Sequence, residues 1–110
     1  MEQIDEIAKK LKEGHYTSNP VGASEDLAIL AGNYGWVCGQ LEMILQRKPA
    51  IWNTLRKDVK SDTACERTWE QTTDGLNEAG LRLRLKAMDK MSSALKSLIR
   101  IAEGEAHNQF

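Results

Sequence analysis

Two long helical patterns cover the last two-thirds of this chain and meet at one short break, residues 60–62. Over residues 27–59, apolar side chains recur at alternating spacings of four and three, which keeps them on one face of an α-helix. Residues 81–102 repeat the same alternation. Two such helices joined by a short turn form an antiparallel hairpin. The pattern therefore predicts an all-α fold, a long antiparallel helical hairpin preceded by a short N-terminal helix.

Local signals set the boundaries of these elements. Acids early and lysines late favour a first helix, with Gly14 as its C-cap. At Pro49 the helix either kinks, or ends near Gln46 and restarts, and the preserved apolar register favours the kink. The prediction is one helical domain, 1–110, with a helix over 2–13, a loop over 15–23, a helix over 24–60 kinked near Pro49, and a helix over 63–104.

The hairpin has one sharp structural consequence. Folding the chain about Ser61 pairs residues at equal distances on either side of it, so Trp52 is expected beside Trp69 or Glu70. Gly75 lies inside the second arm, where a glycine costs about 1 kcal/mol relative to alanine. With no proline nearby, we expect that helix to continue through it.

Each arm carries more apolar residues than one helix–helix contact can cover. On the first arm, Trp36, Val37, Ile44 and Ile51 lie outside the main stripe. The second arm carries an additional stripe: Trp69, Thr73, Leu76, Gly80, Leu83, Ala87, Met91, Ala94, Leu98 and Ile101. Because burying a leucine or isoleucine contributes about 1.5–3 kcal/mol, the sequence predicts a homo-oligomer assembled as a helical bundle.

Residues 31–39, AGNYGWVCG, have the most unusual composition in the chain. Three glycines inside a helix are costly unless another backbone approaches closely. One interpretation is tight helix packing, within the hairpin or between copies. The other is a break near Asn33, with Tyr34 and Trp36 lining a binding pocket. Tyr34 and Trp36 are therefore the candidate partner-binding residues.

No residue pattern indicates an enzyme. The chain lacks a glycine-rich phosphate loop after a strand and a nucleophile with a placed base, and its two histidines and two cysteines have no metal-ligand spacing. We therefore predict no catalytic residues, no metal and no cofactor. No apolar segment is long enough for a membrane span, so the prediction is a cytoplasmic protein that does not enter a membrane.

The net charge is only −1, but the cations are unevenly placed. Residues 80–101 hold six cations against one acid: Arg82, Arg84, Lys86, Lys90, Lys96 and Arg100. All but Arg84 approximately follow one side of a helix. This strip is either a solvated face or a set of contacts to the phosphates of a nucleic acid. It makes nucleic-acid binding an alternative function.

The stretch KSDTACERTWEQTTDGLNEAGLRLRLKAMDKMSSALKSLIRIAEGEA, residues 60–106, ends in a lysine- and arginine-rich helical pattern. It resembles small helical accessory proteins encoded in the early regions of tailed bacteriophages. The resemblance covers under half of the chain and implies no catalytic residue. It implies either a helper of phage replication or recombination, or an inhibitor of a host defence enzyme, in the cytoplasm of a bacterial host cell.

Together these features predict a non-enzymatic helical protein that acts by occupying a protein partner, as a phage-type accessory protein or inhibitor does. Nucleic-acid binding through the basic strip is the first alternative. The second alternative is an oligomeric scaffold, whose function is to form the assembly.

Overall fold

The structure, a computed structural model, describes residues 2–108 and contains only helices and turns over that range. The predicted all-α class is therefore confirmed for the described residues. The helices, in chain order, are α1 (Glu2–Lys12), α2 (Pro20–Arg56), α3 (Asp62–Gln71) and α4 (Thr73–Asn108).

The helices contribute to two compact units. Unit 1 consists of Met1–Gly35 and Lys86–Phe110, and it contains α1, the first part of α2 and the last part of α4. Unit 2 is the continuous segment Trp36–Leu85, which contains the rest of α2, all of α3 and the start of α4.

In unit 1, α1 is a short amphipathic helix that buries Ile4 and Ile7. It ends as the sequence predicts, because Gly14 adopts a positive φ of 70°. The backbone N–H of Gly14 then bonds to the carbonyl of Leu11, and that of His15 bonds to the carbonyl of Lys10. This pair of bonds is the Schellman motif, which satisfies carbonyls that the helix end leaves free.

A polar contact then fixes α1 against α2. The Tyr16 side chain is buried, and its hydroxyl donates a hydrogen bond to the Asp26 carboxylate, which also pairs with Lys10 at 3.3 Å. Burial and the contact with Asp26 raise the pKa of Tyr16 well above its ordinary value. The neutral phenol is therefore part of the folded state of unit 1.

Helix α2 begins earlier than the predicted start at residue 24, so much of the predicted loop over 15–23 is helical. Asn19 accepts a hydrogen bond from the backbone N–H of Gly22 at 3.0 Å, and Pro20 takes the first helical position. Asparagine is a strong N-cap, and proline fits the first turn because no N–H is needed there. These two residues fix the boundary in place of Ser24.

Helix α2 continues through Pro49, so the alternative of a helix that ends near Gln46 is wrong. It stops at Arg56 and not at residue 60. The Arg56 guanidinium donates to the carbonyls of Val59 and Lys60, at 2.6 and 3.4 Å, and pairs with Asp62 at 2.9 Å. One side chain thus satisfies the backbone of the turn that leads into α3.

The predicted helix over 63–104 is two helices, because the chain breaks at Thr72. There ψ is 160°, outside the helical region. The Thr72 hydroxyl donates to the Trp69 carbonyl at 2.6 Å and accepts from the backbone N–H of Gly75 at 3.0 Å. Thr72 therefore ends α3 and begins α4, and Gly75 is the residue that allows the close approach.

Candidate protein-binding surface

In unit 2, the second half of α2 and the start of α4 lie side by side. Arg47 pairs with Asp74 at 3.0 Å, while Trp36 lines the same groove as Arg84. Later residues of α2 therefore face earlier residues of α4, which is the order of antiparallel helices. The hairpin over the full length of both arms stays a prediction.

A cluster around Lys48 joins the three helices of unit 2. The Lys48 ammonium lies 3.1 Å from the Glu78 carboxylate and 4.0 Å from that of Glu66. It also lies 5.8 Å from the centre of the Trp52 ring and 5.1 Å from that of Trp69. Both indoles therefore lie beside the same cation, while direct packing of Trp52 on Trp69 stays a prediction.

Glu78 is the most heavily engaged acid of this cluster, since it also accepts from the Trp69 indole N–H at 3.3 Å and pairs with Arg82 at 3.2 Å. Burial alone would raise the pKa of Glu78. The hydrogen bonds and charges of Lys48 and Arg82 outweigh burial and lower this pKa below its ordinary value of 4.5. The cluster is satisfied within the fold and leaves no open site for a ligand.

An open groove of about 410 Å³ lies between α2 and α4 in unit 2. Its α2 wall consists of Trp36, Gln40, Met43, Ile44 and Arg47. Its α4 wall consists of Leu76, Asn77, Gly80, Leu81 and Arg84.

Large apolar side chains are unusually exposed along this groove. Trp36 is 57% exposed, Met43 52% and Leu76 63%, and Leu83 beside them on α4 is 67% exposed. Groups of exposed apolar side chains are a feature of many interaction surfaces. An indole at such a position is a common anchor in protein interfaces.

The two arginines that line the groove differ in whether they already form an ion pair. The Arg47 guanidinium is used by Asp74, and the hydrogen bond between them raises the pKa of Arg47. Arg84 makes no ion pair within the described part of the chain. The groove therefore offers apolar surface together with one available guanidinium, which suits a ligand that carries a carboxylate.

The two predicted partner-binding residues are not brought together. Trp36 lines the groove of unit 2, whereas Tyr34 is half-buried and belongs to unit 1. Two positions along a helix are about 200° apart around its axis, so the two rings point to different sides of α2. Trp36 stays in the candidate site, and Tyr34 falls outside it.

The predicted basic strip is also divided. Arg82 pairs with Glu78 and Arg84 lines the groove, both in unit 2. The remaining four cations are exposed on α4 in unit 1, and the described residues include no ion-pair partner for any of them: Lys86, Lys90, Lys96 and Arg100.

Two groove residues, Trp36 and Arg84, were predicted to have binding roles, and several others were predicted only as apolar surface. Leu76, Gly80 and Leu83 belong to the additional stripe of the second arm, which was expected to lie outside the hairpin contact.

Gln40, Arg47, Asn77 and Met43 were not singled out, and of these only Met43 is a large apolar side chain. Its position seven residues after Trp36, on the same face of α2, is the signal that would have found it.

No family model, curated protein or solved structure matches this chain. Within the described residues, no helix is both long and apolar enough to cross a membrane. The same part of the chain contains no group of three or more histidine, cysteine or acidic side chains arranged to hold a metal ion.

Proposed function

We propose that this protein is a non-enzymatic binding protein that docks a helix of a protein partner in the groove of unit 2. The observation that carries the proposal is the exposed Trp36 indole in a groove between two helices that is lined by both apolar and polar side chains. Grooves of this kind bind amphipathic helices, whose apolar residues recur at intervals of three, four and seven. The partner helix would add a carboxylate for Arg84.

In this proposal the protein works in a bacterial cytoplasm as a phage-type accessory protein or inhibitor, by occupying a surface of its partner. Its resemblance to phage accessory proteins supports that setting. The full helical hairpin and assembly with further copies belong to the same proposal. The apolar surface that the chain leaves exposed supports assembly, and the antiparallel order of α2 and α4 in unit 2 supports the hairpin.

A labelled helical peptide tests the docking step. The probe has apolar residues at positions 1, 4 and 8 and one glutamate aligned with Arg84, and its binding is followed by fluorescence anisotropy. We expect saturable binding that weakens about tenfold or more in Trp36→Ala, as at interface anchors. Val21→Ala is the matched control, because Val21 is 67% exposed but belongs to unit 1.

The role of Arg84 is tested with the same peptide. Replacing its glutamate by glutamine should weaken binding to the wild-type protein but not to Arg84→Gln. If the peptide does not bind, or binds equally well after Trp36→Ala, the groove is not a helix-docking site.

Nucleic-acid binding is the second candidate, and a specific observation favours it. Four exposed cations of α4, defined above, make no ion pair within the described residues, so they are available for phosphates. Lys86 and Lys90 are one helical turn apart, as are Lys96 and Arg100. Its test is the salt dependence given in the Discussion.

A further inference from the structure

The four exposed cations of α4 form two pairs along the helix. Lys86 and Lys90 are the first pair, and Lys96 and Arg100 are the second. An α-helix rises about 1.5 Å and turns about 100° per residue. The centres of the two pairs are therefore about 15 Å apart along the axis, and all four residues lie within an arc of about 120°. Unit 1 thus presents two separate positive clusters on one side of one helix.

Two serines share this side of α4 with the cations. Ser93 and Ser97 are exposed and lie within the same arc. Over residues 86–100, the arc otherwise holds only Asp89, which is an exposed acid. Serine hydroxyls are frequent donors to the phosphate oxygens of nucleic acids. Apart from Asp89, this side of the helix therefore carries only cations and hydroxyl groups.

This side of α4 lacks the side chains that hold single strands. Residues 70–109 include no phenylalanine, tyrosine or tryptophan. Of the tyrosines of unit 1, Tyr16 is buried and Tyr34 is half-buried. Proteins that bind single-stranded nucleic acids stack the bases on exposed aromatic rings. The cation pairs are therefore suited to contacts with phosphates and not with unstacked bases.

We propose that the two cation pairs bind the two phosphate backbones that border one major groove of a DNA duplex, whatever its sequence. The inference rests on the second candidate of the proposed function, because it names the kind of nucleic acid that these cations bind. The major groove of B-form DNA is about 12 Å wide. Pairs that are about 15 Å apart can therefore each contact one edge of it.

A duplex suits this spacing better than a single strand does. The duplex holds its two rows of phosphates at a fixed separation, so little conformational entropy is lost on binding. A single strand is flexible and must be ordered before it can contact both pairs. Because phosphate contacts carry no sequence information, duplexes of different sequence should bind alike.

Fluorescence anisotropy with labelled oligonucleotides tests the inference on the full-length protein. The probes are a duplex of about 20 base pairs, or two helical turns, its isolated single strand, and a duplex of unrelated sequence. We expect the two duplexes to bind equally, and at least about tenfold more tightly than the single strand. Four phosphate contacts predict that duplex affinity falls roughly a hundredfold between 50 and 200 mM salt.

Two double variants that remove the same charge distinguish two-backbone binding from a general attraction. Lys86→Gln with Lys90→Gln removes one pair, so only one backbone is still contacted. Lys86→Gln with Lys96→Gln leaves one cation for each backbone. The first variant should lose most of the preference for duplex over single strand, and the second should keep it. The side chains are exposed, so both variants should fold.

Two further variants complete the set. Lys9→Gln with Lys12→Gln is the matched control, because it removes two exposed lysines of α1 and should leave the affinity for duplex nearly unchanged. Asp89→Asn removes the acid that repels phosphates from the same side of α4. It should strengthen duplex binding, by at least about twofold.

Three outcomes would overturn the inference. Equal affinity for duplex and single strand, or equal loss of the preference in the two double variants, removes it but leaves nucleic-acid binding in place. A protein that binds no oligonucleotide at low salt loses both. Binding to phosphatidylserine vesicles without binding to the duplex would assign these cations to a lipid surface instead. Helix docking is decided separately by the peptide titration, because Trp36 belongs to unit 2.

Discussion

Gly75→Ala is the substitution whose effect follows most directly from the structure. A Cβ at this position would overlap the carbonyl oxygen of Trp69. It would also lie 2.7 Å from the Trp69 carbonyl carbon and 3.0 Å from the Cα of Glu70. Carbon atoms in contact are normally about 3.5–4.0 Å apart. Because these neighbours are backbone atoms, no side-chain rotation can relieve the overlap.

The loss of stability in Gly75→Ala follows from the displacement that the added Cβ would require. Separating α3 from α4 by about 1 Å would weaken the cap in which the Thr72 hydroxyl accepts from the N–H of Gly75, a contact type worth ~1 kcal/mol. The remaining strain of an overpacked site adds about 1–3 kcal/mol. We expect Gly75→Ala to lower the free energy of unfolding by about 2–4 kcal/mol, and the melting temperature by roughly 10 °C or more.

Urea denaturation followed by circular dichroism measures this change, at one protein concentration for all variants. Gly35→Ala is the control, because a Cβ there meets nothing within 4 Å and the change should stabilise α2 by up to ~1 kcal/mol. The two substitutions are chemically identical but should have opposite signs. If Gly75→Ala were neutral or stabilising, the close approach of α4 to the end of α3 would be refuted.

Three further predictions concern charged groups. Lys48→Met should lower the free energy of unfolding by about 1–3 kcal/mol, because it leaves the mostly buried Glu78 carboxylate without its nearest cation. Urea unfolding measures this loss. Adding Glu78→Gln to Lys48→Met should recover part of the lost stability. The lowered pKa of Glu78 contributes stability that is complete above its ordinary value of 4.5 and is lost as the pH falls through its folded value. Acid titration should therefore destabilise the wild type more steeply than Glu78→Gln, and parallel curves would contradict this. If the four exposed cations of α4 bind nucleic acid, oligonucleotide affinity should fall steeply between low and near-physiological salt. The slope of log affinity against log salt concentration should be smaller after Lys86→Gln and Lys90→Gln. No binding at low salt would exclude that function.

Helix content and some of the caps were predictable because they depend on local chemistry. Gly14 was identified as a C-cap from its position alone, and it adopts the positive φ that this role requires. The break at Thr72 was not predicted. It depends on a threonine that bonds to both flanking helices and on a glycine against a backbone carbonyl, a tertiary contact that no helical periodicity encodes.

The buried face of α2 was predicted only in part. The predicted stripe over residues 27–59 includes Leu41, which is buried, and Leu45, which is 38% exposed. The other buried residues of α2 recur every seven positions on the neighbouring stripe: Ala23, Leu30, Val37 and Ile44. Both stripes have helical periodicity, so the period predicts a helix but cannot select between them.

The candidate site was therefore only half predictable. Trp36 was selected for its unusual glycine-rich setting, and it does line an exposed groove. Its α4 neighbours Leu76 and Leu83 were recognised as surplus apolar surface, but the pairing of the helices was needed to place them beside it. Arg84 was assigned to a basic strip, and only the structure separates it from the cations of unit 1.

The turn held by Arg56 has a consequence for the order in which this chain folds. Within the described residues, its guanidinium forms hydrogen bonds with residues three, four and six positions further along the chain. The ion pairs that connect α2 to α4 span 27 and 30 positions. Closing a short loop loses less entropy than closing a long one, so the turn can form before the long-range pairs do. Once formed, the turn brings Trp52 and α3 within reach of each other. The remaining contacts of unit 2 then require the closure of a shorter effective loop.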